Sequence, residues 1–211
     1  MSHDTTVRAL LDTCGRTYAS DAGISLADAP APLYRLLVLT VLLSNRISAD
    51  LAVAAARELV RSGLGTPRKM LDASWQQRVD ALGRAHYRRY DEMTATALGD
   101  GAQLLVDEYD GDLRTLRERA RRDPATERTL LKQVPRIADV GASIFCREAQ
   151  QVWPELRPTL DSKALDGARR IGLPTDKKTL ADLVPGDDLA RFAAALVRVA
   201  LDKRLAEEVT G

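Results

Sequence analysis

Apolar residues recur at three- and four-residue steps through 33–43, 49–61, 88–109, 142–152 and 188–205, and no stretch sustains apolar alternation with a period of two. The first pattern buries one stripe of a helix, whereas a half-buried strand needs the second. Ala, Leu, Arg and Glu dominate, and aromatic residues make up 4% of the chain, which also favours helix over sheet. The expected fold class is therefore all-α. Segment 33–43 is apolar almost all round and should lie at a centre of packing.

Start and stop signals divide the chain into roughly ten short helices with brief connections. Thr66-Pro67, Ser74-Trp75 and Asp123-Pro124 each pair a capping residue with a tolerant first helical position, and Gly63, Gly83 and Gly172 read as C-terminal stops. The Gly99-Asp100-Gly101 triplet is expected to break or turn the long helix it falls in. No solenoid repeat and no low-complexity linker separates independent domains. With 211 residues and 45% hydrophobic content, the chain should form one body with a cleft between two helical lobes.

Lys plus Arg total 31 against 30 for Asp plus Glu, a net charge of +1, so the chain is not a generic polycation and any nucleic-acid site must come from local segregation of charge. Segment 114–136 shows such segregation, with eight basic residues against three acidic ones. It would follow a phosphate backbone with salt-sensitive affinity, or form a solvated helix face with internal pairs. No run of about 18 apolar residues suggests a membrane span, and the N-terminus lacks a secretory pattern, so a cytoplasmic, nucleoid-associated monomer is expected. Cys14 and Cys146 have no metal-ligand spacing, and His3 and His86 make no metal motif; neither a metal nor a cofactor is expected.

Segment 130–173 carries the most information. A helix ends near Val134, a tight turn holds Pro135, a second helix covers about 142–152, and Trp153-Pro154 closes it. After the extended stretch 157–160, Asp161 opens another helix, where a carboxylate ordinarily caps the amides near Lys163 and Ala164. In this order of features the chain resembles the helix-hairpin-helix superfamily of DNA glycosylases, the endonuclease III-like branch. Leu42-Leu43-Ser44, Thr66-Pro67 with Met70-Leu71, Leu82-Gly83 and Val184-Pro185 recur in the same order, so the resemblance covers about 30–205.

The resemblance implies a six-helix lobe over about 30–135, a hairpin at about 130–152 and further helices over 161–207, with residues 1–29 packed on the second lobe. It implies double-stranded DNA, damaged or abasic, as the partner, and base excision as the activity. Asp161 would stabilise the cationic sugar as the base leaves, acting alongside its capping role or instead of it. Asn45 and Arg46 would form one wedge loop, and the stretch with His86 and Tyr87 the other. Arg46 or Tyr87 would fill the place of the flipped base, and His86 would meet a base edge. Arg121, Arg122, Lys132, Arg136 and Lys163 would contact DNA.

The departures are specific. The family hairpin reads like Pro-Gly-Val-Gly-Arg-Lys, with glycines that let backbone amides approach phosphate and a lysine that attacks the sugar. Here it reads Pro135-Arg136-Ile137-Ala138-Asp139-Val140, and a three-residue slide puts Ser143 in the lysine's place. Neither register supplies an amine, so lyase chemistry is not expected unless Lys132 or Lys163 acts from another direction. Ala138 and Asp139 accept left-handed backbone less readily than glycine, and Arg136 is expected to take over the phosphate contact. A chain with two cysteines cannot ligate the iron–sulfur cluster that follows the last helix of endonuclease III. The expected activity is that of a monofunctional glycosylase acting on alkylated or mismatched bases. The alternatives are a silent DNA-binding module of the same fold and an all-α protein-interaction domain.

Overall fold

The computed structural model describes residues 2–211. In chain order the helices are α1 (His3–Cys14), α2 (Tyr18–Asp21), α3 (Pro30–Leu43), α4 (Ala49–Arg61), α5 (Pro67–Asp72), α6 (Trp75–Arg84), α7 (Asp91–Tyr109), α8 (Leu113–Arg119), α9 (Pro124–Leu131), α10 (Asp139–Ala149), α11 (Ser162–Arg170), α12 (Lys177–Ala181), α13 (Leu189–Leu201) and α14 (Lys203–Thr210). Two short 3₁₀ turns precede α11 and α13, and no strand occurs among the described residues. The chain is all-α, as its periodicity requires.

The helix starts follow the capping chemistry. Thr66, Ser74 and Asp123 accept hydrogen bonds from the amides of Lys69, Gln77 and Thr126, and Ser74 with Gln77 completes a capping box. Gly63 and Gly172 adopt left-handed backbone after α4 and α11. Gly83 does not: α6 runs through it to Arg84, and the left-handed stop falls on His86 at φ 62°. Segment 188–205 is not one helix either. Asp202 takes extended backbone and caps the amide of Arg204, which ends α13 and starts α14.

The chain divides into two compact units, one of residues 19–145 and one joining the described residues through Tyr18 to Cys146–Gly211. In the first unit α3 is the buried centre, with Leu33, Leu36, Leu39 and Leu42 fully enclosed, and α4, α7 and α8 pack on it. The Gly99–Gly101 triplet does not break α7. A Cβ on Gly101 would stand 3.2 Å from Val134, and one on Gly99 would stand 2.8 Å from the Arg78 guanidinium, so these glycines admit neighbours to the helix surface.

In the second unit α13 is the core helix, burying Phe192, Leu196 and the run Ala193–Ala195 between them. Helices α1, α11 and α14 pack on it. The α11 contact is closest at Gly167, where an added Cβ would lie 1.9 Å from the Leu196 carbonyl oxygen. Among the described residues no helix is long and apolar enough to cross a membrane.

Candidate nucleic-acid interface

Within the 19–145 unit, three connections meet at Asn45. Its amide donates to the Tyr87 hydroxyl at 2.8 Å and to the Val41 carbonyl at 3.2 Å, and its side-chain oxygen accepts from Arg136 Nη2 at 2.6 Å. The Tyr87 hydroxyl also meets Thr94 Oγ1 at 3.1 Å. One network, buried except at its Arg136 end, therefore ties together the α3–α4 loop, the α6–α7 loop, the start of α7 and the α9–α10 hairpin. Burial pushes the Tyr87 hydroxyl above its ordinary titration range, so it remains a neutral donor and acceptor.

This placement revises two expectations. Tyr87 is 1% exposed and Asn45 is 8% exposed, so both side chains brace their loops and neither is presented to a partner. Their chain neighbours face outward: Arg46, His86, Arg88 and Arg89 are all exposed. The left-handed geometry of His86 is what turns the chain from α6 into the buried Tyr87, with its amide bonded to the Gly83 carbonyl at 2.9 Å and that of Tyr87 to Leu82 at 3.0 Å.

The hairpin turn forms without glycine at residues 135–140. The left-handed residue is Arg136 at φ 70°, while Ala138 and Asp139, for which the sequence leads one to expect strain, have no positive φ. Arg136 spends Nη2 on Asn45, so part of its donor set holds the hairpin in place instead of reaching outward. Lys132 bonds Asp139 across the turn at 2.9 Å, a contact that holds the Asp139 carboxyl below its usual range. Gly141 lets the start of α10 approach the α3–α4 loop closely: a Cβ there would be 2.7 Å from Ser44 Oγ. Val140 is 68% exposed at the first turn of α10, and Ser143 Oγ accepts from Arg128 at 2.5 Å.

The basic stretch 114–136 is more internally compensated than its composition indicates. Arg114 pairs with Asp112, Arg117 with Asp28, Arg119 with Glu108 and Lys132 with Asp139. Arg121 and Arg122 are exposed and have no acidic partner among the described residues.

In the other unit, Asp161 is the N-cap of α11: Oδ1 accepts from the Ala164 amide at 2.9 Å. Oδ2 accepts from Arg147 Nη1. Arg147, on α10, was not singled out by sequence reasoning, although a charged residue inside the apolar run 142–152 is the signal that marks it. Its side chain also lies 4.0 Å from Glu148 and 5.8 Å from the centre of the Tyr18 ring, which Arg198 faces at 4.3 Å. Lys163 is exposed and pairs with Asp166 at 3.1 Å, one helical turn away on α11.

Among solved structures the chain is similar to endonuclease III in a trapped covalent DNA intermediate, an estranged-adenine complex. The TM-score is 0.52 at 18% identity, covering 93% of this chain and 85% of that one. It is likewise similar to endonuclease III in a non-covalent DNA complex, with a TM-score of 0.50, the same identity and the same coverage. No family model matches the chain. No curated protein matches it. At this identity the likeness is one of fold: the chain has the all-helical fold of endonuclease III.

Proposed function

We propose that this protein binds damaged or abasic duplex DNA and serves base excision repair through recognition, without a covalent lyase step. The observation that carries this reading is the Asn45 network. By locking three connections together, it fixes the loops that bear Arg46, His86, Arg88, Arg89 and Lys132 before any ligand arrives, which lowers the ordering cost of association. The exposed arginines Arg46, Arg88 and Arg89 on these pre-organised loops suit phosphate contacts that position a duplex. The DNA-bound endonuclease III structures with this fold support the same partner.

Asp161 decides between recognition and excision. A carboxylate stabilises a developing sugar cation when its charge is available in a low-dielectric site. Here one oxygen caps α11 and the other receives a buried guanidinium, so the charge is already compensated. Recognition without excision is the reading this favours. Hydrolytic excision is the second reading, favoured by the place of Asp161 at the head of α11 directly after extended Leu160, where the family resemblance puts the catalytic carboxylate.

The test is a panel of duplexes carrying alkylated, mismatched, oxidised or abasic sites, incubated with the protein and treated with alkali. The expected result is salt-sensitive binding with preference for distorted duplex and no strand scission beyond that of the protein-free controls. Release of any base by the wild type establishes the hydrolytic reading, and failure to bind duplex at low salt rejects both.

A further inference from the structure

The eight basic residues of 114–136 divide into those with partners inside the fold and two without. Arg114, Arg117, Arg119 and Lys132 are ion-paired, Arg128 donates to Ser143 and Arg136 to Asn45. Arg121 and Arg122 have neither an acidic partner nor a side-chain hydrogen bond among the described residues, and both are exposed. They are also successive residues in left-handed backbone, at φ 55° and 56°. Two adjacent non-glycine residues seldom hold that conformation, and it persists only where the surroundings impose it. Here the imposing contacts are the Arg121 amide to Glu118, the Arg122 amide to Arg117, and the Asp123 amide to Ala120.

The turn is anchored on the hairpin side of the same unit. Arg119, two residues earlier, lies 4.6 Å from the centre of the Tyr109 ring, and the Tyr109 hydroxyl donates to Gln133 at 2.8 Å, directly before the hairpin. Helix α9, eight residues long, separates Arg122 from Lys132 at the opposite end. Its length of about 12 Å corresponds to three or four base-pair rises of about 3.4 Å.

We propose that Arg121 and Arg122 form a second phosphate-binding point, one α9 length from the hairpin, that holds the backbone of the same duplex beyond the segment gripped by the three loops. This rests on the DNA-binding reading above and extends its footprint. Guanidinium groups suit the role because they present several donors to phosphate oxygens and never lose their charge.

The test compares wild type with the Arg121→Gly/Arg122→Gly double variant on an abasic duplex of about 20 base pairs with the lesion at its centre, and on duplexes shortened to end about two base pairs from the lesion on one side or the other, by fluorescence anisotropy across a salt series. Glycine accepts the left-handed turn, so the variant should fold with undiminished thermal stability. On the long duplex its affinity should fall by about tenfold or more at low salt, and its log–log salt slope should become shallower by about 2. On the duplex shortened on the side that the arginines reach, the two proteins should match, and on the long duplex Arg121→Lys/Arg122→Lys should retain most of the binding. An unchanged slope and affinity on the long duplex overturns the second contact, as does an equal loss on every duplex, which would make the arginines part of the hairpin site. A wild type that binds none of the duplexes rejects the DNA-binding reading itself, a result distinct from either of these.

Discussion

Arg147 and Asp161 form a buried ion pair in which Nη1 donates to Oδ2 at 2.5 Å, with the two side chains 4% and 12% exposed. The pair joins the last part of α10 to the N-cap of α11, so one carboxylate both starts a helix and neutralises an enclosed cation. Removing one member of such a pair costs about 3–5 kcal/mol where the other is left uncompensated; with Glu148 4.0 Å from Arg147, the loss on removing Asp161 falls toward the lower end.

Asp161→Asn is therefore expected to destabilise the protein markedly, even though asparagine keeps the cap. Denaturant unfolding should show a loss of about 3 kcal/mol or more for Asp161→Asn and for Arg147→Met. The double variant should recover part of the loss. A near-neutral Asp161→Asn would mean that the capping bond alone matters at this position.

Tyr87→Phe removes the hydroxyl that accepts from Asn45 and meets Thr94. Two buried polar groups lose a partner, and the expected cost is about 1–3 kcal/mol. Hydrogen exchange should quicken at the hairpin, because Asn45 also holds Arg136. Exchange that quickens only around Tyr87 would show the three connections to be independent.

Gly167→Ala should be among the most damaging single-methyl additions, since its Cβ would lie 1.9 Å from the Leu196 carbonyl and backbone cannot yield as a side chain can. A loss of about 3 kcal/mol or insoluble expression is expected. The comparison is Gly83→Ala, whose Cβ would meet nothing within 4 Å and which sits inside α6, so unfolding midpoints should separate the two clearly.

Glu58 near the end of α4 is held below the ordinary carboxylate range by hydrogen bonds from Arg84 and then Arg61, against the opposing effect of burial. A carboxyl with a depressed folded-state pKa stabilises the fold above its unfolded value, about 4.3, and the contribution disappears as pH falls through the folded value. Thermal midpoints of wild type and Glu58→Gln should differ at pH 7 and converge as pH drops below about 4. A gap that persists at low pH would assign the effect to packing.

The all-α class and many helix starts were legible in the sequence because they depend on local chemistry. Thr66, Ser74 and Asp123 cap amides three residues away, and the bounds of α4 coincide with the periodic segment 49–61. The order of weak motifs likewise sufficed to name the endonuclease III fold. What tertiary structure decided was which charges and polar groups find partners across long separations. Asn45 meets Arg136 over 91 positions, Arg117 meets Asp28 over 89, and Arg147 meets Asp161 over 14, and neither a periodicity nor a cap records such meetings. Gly83 and His86 show the same limit within one turn: glycine tolerates left-handed backbone, but the chain uses it at His86 because burying Tyr87 fixes where α6 must stop. A charge count over 114–136 sums residues along the chain, whereas electrostatic availability depends on neighbours in space, and only the fold leaves Arg121 and Arg122 without acidic partners among the described residues.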